Sequence, residues 1–382
     1  MEQLLIKFGI VLAFFFCFAS GVHDGGNLVA ATVLSRSIAP RRALLFAAAA
    51  VFFGPLLYGS AVAYTLREVF LDKAMILSPN RTVLCLFLVS GVASATLWNT
   101  MTWWVGRPSG SSYTLLGGLL GGGIAGFGFE AIHGWLLLCK VLLFLLLAPV
   151  LGALLAHITV SVVQLFENSG NPSHLTGEVC PPLGAPEATS VKGGGRKKEG
   201  CGDSGSPWIW LQGLSLVFEG LGHGANSAQK SAAVILMLLL PLGSVKGGQL
   251  PFWAILGCSI SLSVGVPIGG WKIATILSGK SSRIESIHSL SSQLAAGVVL
   301  AGANLLGGVL SPNQLVKASV LGTGAGGRKG TPWRILANNL IMGWFIHLPA
   351  CALIAAAIHW CASRALGLGM GSLETIMGVL GP

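Results

Sequence analysis

The chain has 382 residues, of which 53% are hydrophobic and only 9% charged, with a mean hydropathy of +0.76 and a formal net charge of +10. A soluble domain carries about 25% charge, so this composition excludes the soluble enzymes and binding modules and marks a polytopic membrane protein. Much of the basic excess lies in short loops without an interleaved aromatic patch. That excludes a nucleic-acid partner and fits helices oriented in a cell membrane by the positive-inside rule.

A membrane-spanning helix needs about 20 apolar residues. The first apolar run begins at Phe8 and has the length of a secretory signal. The polar segment Gly21-Val22-His23-Asp24-Gly25-Gly26-Asn27 follows at once, so the run is read as a span that breaks at Gly25-Gly26 and resumes over 28–34. Arg36, Arg41 and Arg42 form a short basic loop, the best candidate for a cytoplasmic one. Residues 43–66 are an uncharged span, and 67–81 a mixed-charge loop. Residues 82–106 are the next span, closing on Trp103-Trp104 at the interface. Pro108, Ser109, Ser111 and Ser112 then open a glycine-rich stretch, the pattern of a re-entrant hairpin. Residues 135–166 are long and apolar, with Lys140 reaching the interface and a kink at Pro149.

Residues 168–206 hold four prolines and nine glycines in 39 positions and read as a flexible linker. It separates a first transmembrane repeat, 1–167, from a second, 207–362, with a tail over 363–382. The second repeat carries its own polar knot, Gly222-His223-Gly224-Ala225-Asn226-Ser227-Ala228-Gln229-Lys230. The knots are offset by 203 residues (224 − 21). The glycine-rich boxes Leu120-Gly121-Gly122-Gly123 and Leu321-Gly322-Thr323-Gly324 are offset by 201 (321 − 120). Near-equal offsets of two boxes indicate a duplication. Residues 247–271 are another span, 286–316 hold a span and a second hairpin opening at Ser311-Pro312-Asn313-Gln314, and 335–362 are the last span. The expected fold is an all-α polytopic membrane protein of two inverted repeats with broken helices and re-entrant hairpins. Four crossings per half follow if both hairpins are re-entrant. Inverted repeats need an odd number, so one segment must play another part.

A polar group inside hydrocarbon costs about 2.5–3.5 kcal/mol on insertion scales when charged, so Asp24 and Lys230 are candidate functional residues. Ends of broken helices present backbone N–H groups to anions, while freed carbonyls and carboxylates suit cations. Asp24, Asn27, Ser109, Ser111, Ser112, Asn226, Ser227, Gln229 and Lys230 together suit a small tetrahedral oxyanion, with Asp24, His23 and Glu219 as candidates for handling a coupling cation. His133, His157, His347 and His359 have no partner at ligand spacing, and no CxxC pair occurs among the eight cysteines, so no metal site or disulfide framework is expected. No nucleophile stands beside a base at a usable spacing, so the chain is not read as an enzyme.

These boxes resemble the inorganic phosphate transporter (PiT) family, whose signature is close to G-x-N-D-x-A-N, with a second copy close to H-G-A-N-D-A-Q-K. They match Gly21–Asn27 and His223–Lys230. Trp98-Asn99 running to Pro108-Ser109-Gly110-Ser111-Ser112, Lys140-Val141-Leu142 with Pro149 and Gly152, and Gly269-Gly270-Trp271-Lys272 resemble further family boxes, in order from Gly21 to Ala355. The resemblance implies a secondary transporter of inorganic phosphate coupled to sodium or protons, with no cofactor, and a homodimer is possible. Departures are Ser227 for the family's aspartate, Gln293 for its usual glutamate, His23 for an asparagine, Tyr113 for the first hairpin's histidine, and Ser311-Pro312-Asn313-Gln314 in the second hairpin. Loss of two carboxylates implies that coupling is weaker, or that it uses protons through Asp24, Glu219 or His23. Sulfate or another oxyanion, and a non-transporting sensor or scaffold, are the alternative readings.

Overall fold

The computed structural model describes residues 1–71, 81–105, 110–129, 132–169, 207–243, 245, 248–278, 284–324 and 341–368. Ser109, the linker after Ser169 and the tail after Leu368 lie outside them. The described residues form helices and no strand. They are α1 (Glu2–Ser35), α2 (Pro40–Leu57), α3 (Ala61–Phe70), α4 (Arg81–Trp104), α5 (Ser111–Phe127) and α6 (Leu143–Ser169) in the first half. The second half holds α7 (Pro207–Leu239), α8 (Phe252–Ser278), α9 (Ser286–Leu306), α10 (Pro312–Gly322) and α11 (Leu348–Ala365). Among the described residues, eight helices are long and apolar enough to cross a membrane. Large apolar side chains cover the outside, among them Phe8, Phe15, Leu45, Leu146, Leu154 and Leu353. In water that surface would be unstable; in a bilayer it is the face that meets lipid. The chain is a multi-pass membrane protein.

The helix pairings of the two halves correspond. α1 packs on α8 and α2 on α7; α1 packs on α4 and α7 on α9; α5 packs on α11 and α10 on α6. Each of these pairs turns into its mate when α1, α2, α4, α5 and α6 are exchanged for α7, α8, α9, α10 and α11. The first helices of the two halves cross antiparallel, since Gly9 lies against Leu238 while Asp24 meets His223. Both last helices are entered through a π-helical turn, Leu137–Leu142 before α6 and Gly343–His347 before α11.

Two expectations change. Both knot helices are unbroken: α1 runs through Gly25-Gly26 and α7 through Gly222 and Gly224. The glycines serve close packing instead. A Cβ on Gly21 or Gly25 would collide with the carbonyls of Leu262 and Val266 on α8, one on Gly269 with that of Val22, and one on Gly224 with that of Val51 on α2. Membrane helices that meet through small residues gain backbone-to-backbone contact, which a Cβ would forbid. The break falls in the second span. α2 stops at Leu57, Gly59 takes φ 76°, and α3 restarts at Ala61. The start of α3 is held by Gln229 of α7, whose Oε1 accepts from Val62 N at 2.9 Å and Ala63 N at 3.4 Å. Those are two of the donors that a helix N-terminus leaves orphaned.

The hairpin helix α5 returns along α4 in the opposite direction, with Gly118 against Gly91 and Gly122 against Phe87. Each half holds four of the helices long enough to cross a membrane, and α5 in the first half and α10 in the second are shorter helices beside them. Pro149 lies inside α6, and a π turn precedes that helix. There the Lys140 Nζ donates to Leu306 O at 2.9 Å and its carbonyl accepts from Val309 N at 2.9 Å. A cation on the last carbonyls of α9 satisfies groups that the helix leaves open.

Candidate functional site

The antiparallel crossing of α1 and α7 brings the knots together, and the N-terminal ends of α5 and α10 close on them. His223 Nε2 donates to Asp24 Oδ2 at 3.2 Å, and Asn313 Nδ2, one residue into α10, donates to Asp24 Oδ1. Asn27 Nδ2 donates to Asn313 Oδ1 at 3.2 Å. On the other side Lys230 Nζ donates to Ser112 Oγ at 2.6 Å and to Leu310 O at 3.2 Å, and Ser112 Oγ donates to the same carbonyl at 2.8 Å. Asp24 and Lys230 are thus tied to one short stretch, Leu310 to Asn313. Asp24, Lys230, Ser111, Ser112 and Asn226 are all buried.

The turn before α10 is fixed from three sides. Gly307 closes α9 with φ 70°. Asn226 Nδ2 donates to Asn304 Oδ1 and to Gly308 O, both at 3.0 Å, and its Oδ1 accepts from Leu310 N at 3.4 Å. Asn304 Nδ2 reaches back to Gly222 O at 2.9 Å. Lys140 holds the far side.

These bonds repeat across the halves. His23 donates to Asn99 O at 2.7 Å, as Asn226 donates to Asn304, at offsets of 203 (226 − 23) and 205 (304 − 99). Asn27 reaches Asn313 of the opposite half, as Lys230 reaches Ser112, at offsets of 203 (230 − 27) and 201 (313 − 112). Each knot therefore anchors to its own half through its second polar position and reaches the other half's hairpin helix through its last.

Other candidates stand apart from this network. Gln229 is occupied by the start of α3. Ser227 is buried, and its Oγ has no hydrogen-bond partner among the described residues. Glu219 is 1% exposed with both carboxyl oxygens unpartnered there; it sits one turn before His223, about 6 Å along the helix, and about 16 Å before Lys230. Next to it is a separate polar cluster. Gln212 Nε2 donates to Ser289 Oγ at 2.7 Å and to Gln293 Oε1 at 2.8 Å, Ser215 Oγ donates to Gln293 Oε1 at 2.8 Å, and Gln293 donates to Thr32 Oγ1 at 2.7 Å.

Asn304, Asn313, His223 and Lys317 were not among the predicted site residues. Lys317, one turn beyond Asn313, lies within electrostatic reach of Asp24 and His23. The signal that could have found Asn304 is its spacing from Asn99, 205 residues (304 − 99), within two of the knots' offset of 203. Asn313 stands in the hairpin opening that departs from the family's pattern, so no box match pointed to it.

Chemically the site has two sides. The positive ends of α5 and α10, the Lys230 ammonium and the Ser112 hydroxyl favour an anion. Asp24 with the amide oxygens of Asn27 and Asn313 favours a cation. A model of the phosphate transporter family matches residues 20–355, nearly the whole described fold. The chain belongs to the phosphate transporter family.

Relatives in the family align with it over most of its length. A protein of Rhizobium meliloti named "Probable low-affinity inorganic phosphate transporter" is 30% identical over 355 residues, spanning 92% of this chain and 95% of the relative. A Bacillus subtilis protein of the same name is 26% identical over equal shares. A solved structure titled "The sodium-dependent phosphate transporter" superposes with a TM-score of 0.77 at 19% identity, covering 94% of this chain and 99% of that one. At that identity the likeness is one of fold. The family match places Asp24 and Lys230 inside the matched region, along with both hairpin openings.

Proposed function

We propose that this protein carries inorganic phosphate across the membrane together with a cation, by alternating access between two inverted repeats, 1–167 and 207–362, joined by the linker 168–206. The observation that carries the reading is the shared attachment of Asp24 and Lys230 to the Leu310–Asn313 stretch. Lys230, Ser111, Ser112 and the α5 and α10 N-terminal turns receive the phosphate, whose oxygens replace Leu310 O as partner of the ammonium. Asp24, Asn27 and Asn313 receive the cation. A bare Asp24 carboxylate repels the incoming anion, and a cation on it removes that repulsion. Binding of the two is therefore positively linked. The relative whose title names sodium supports sodium as the cation. Protons taken up on Asp24, Glu219 or His23 are the alternative, and Glu219's unpartnered carboxyl is the observation in their favour. The antiparallel crossing of α1 and α7 and the exchanged packing pairs support the inverted duplication.

The test is uptake of labelled phosphate by proteoliposomes under a sodium gradient, a proton gradient or neither, with unlabelled sulfate as competitor. Uptake driven by one gradient, lost in Lys230→Ala, freed from cation dependence in Asp24→Asn and insensitive to sulfate is the expected outcome. Equal competition by sulfate would make the protein a broader oxyanion permease. Absence of uptake in all arms, with phosphate binding retained, would turn the reading toward a sensor.

A further inference from the structure

At the basic end of the molecule, away from the knots, a groove of about 310 Å³ opens between the start of α2 and the start of α7. Its wall is apolar and turned outward: Phe46 is 43% exposed, Trp210 66% and Leu214 64%, with Val217 deeper in. Its polar rim is Ser37 and Arg42. The neighbouring cations are engaged elsewhere. Arg41 lies over the Trp271 ring at 5.4 Å, and Lys272 over that of Trp103 at 5.7 Å. Arg42 is exposed and makes no hydrogen bond or ion pair among the described residues. Glu285, the acid flanking Ser286 on the neighbouring helix, faces His288 at 3.6 Å and is 77% exposed. Ser37 Oγ meets Ser286 Oγ at 3.0 Å and Ser35 Oγ at 2.9 Å, so it is held at the rim.

An unspent guanidinium above a hydrocarbon trough, at the level where α2 leaves a basic loop, matches one class of molecule. The charge selects an anion, and the trough selects an acyl chain. We propose that this groove binds one anionic glycerophospholipid, with its phosphate diester on Arg42 and Ser37 and a chain along Phe46, Trp210, Leu214 and Val217. The lipid bridges α2 and α7, the helices whose close contact at Gly54 and Gly224 joins the two halves. The inference is independent of what the central site carries. Free phosphate shares the headgroup chemistry but gains nothing from the trough.

The experiment uses the full purified chain, delipidated in detergent and titrated with phosphatidylglycerol, with phosphatidylcholine of the same chains, or with inorganic phosphate. Bound lipid per chain is read by native mass spectrometry. One phosphatidylglycerol should be retained about fivefold more tightly than phosphatidylcholine, the preference that one cation near a membrane surface supplies. Arg42→Gln should remove the preference. Arg81→Gln, at the start of α4 beside the opposite end of α1, should keep it. Val217→Trp should fill the trough and abolish retention of the lipid while leaving helicity and phosphate uptake intact. Equal retention of both lipids, survival of the preference in Arg42→Gln, or displacement of phosphatidylglycerol by inorganic phosphate would each overturn the proposal. A change of oligomeric state in Val217→Trp without loss of lipid would assign the groove to a second copy of the chain.

Discussion

Gln229 is the residue whose role moved furthest from its sequence reading, so its replacement is the sharpest local test. In the fold it reaches the restart of α3, not the hairpin ends. Leucine of similar size at position 229 would leave Val62 N and Ala63 N without their acceptor. An orphaned buried donor costs about 1–3 kcal/mol. The bond from Val62 at 2.9 Å counts in full and the long one from Ala63 at 3.4 Å only in part. Against this, Gln229 Nε2 is itself buried without a partner, and its removal returns some of that cost. The net loss in Gln229→Leu is about 1–3 kcal/mol. It should appear as a lower unfolding midpoint in detergent and as faster hydrogen exchange confined to the amides at the start of α3. The phosphate KM of the protein that remains folded should not change. A raised KM with unchanged stability and exchange would return Gln229 to the substrate and refute the assignment of the helix break.

Glycine contacts separate positions that look alike in sequence. Gly269→Ala drives a methyl into the Val22 carbonyl and should sharply reduce the folded yield. Gly302→Ala, with nothing within 4 Å of its Cβ, should be neutral or stabilise by about 0.5–1 kcal/mol in the same detergent assay. Lys140→Met removes a charged hydrogen bond to Leu306 O and loosens the turn that carries Leu310. Loss of about 1.5–3 kcal/mol is expected, with weaker phosphate binding although position 140 does not touch the site. Asn313→Ala leaves Asp24 with His223 as its hydrogen-bond donor. The cation concentration for half-maximal uptake should rise about tenfold or more, with a smaller change in phosphate KM at saturating cation.

The membrane class and the helix content were legible in the sequence because each rests on local signals, composition and uncharged runs. The hairpin opening before Ser111 was legible for the same reason. The break was misplaced because glycine pairs in a membrane helix serve two physical ends, interruption and close approach, and only the neighbour decides which. Val266 on α8 decides it for Gly25. The true break at Tyr58–Ser60 was hidden because its stabilising group comes from position 229, far along the chain. The bond from Lys140 to Leu306 was hidden too, since no local pattern reveals that the end of α9 arrives beside it.

The central claim is that the two knots and the two hairpin ends form one oxyanion site with Lys230 as its cation. Equilibrium binding of labelled phosphate to the purified protein, wild type against Lys230→Met, tests it most directly. Saturable binding in the wild type and its loss in a variant that keeps its helicity and elution volume is the result expected. Equal binding by the two proteins would place the phosphate elsewhere and contradict the account.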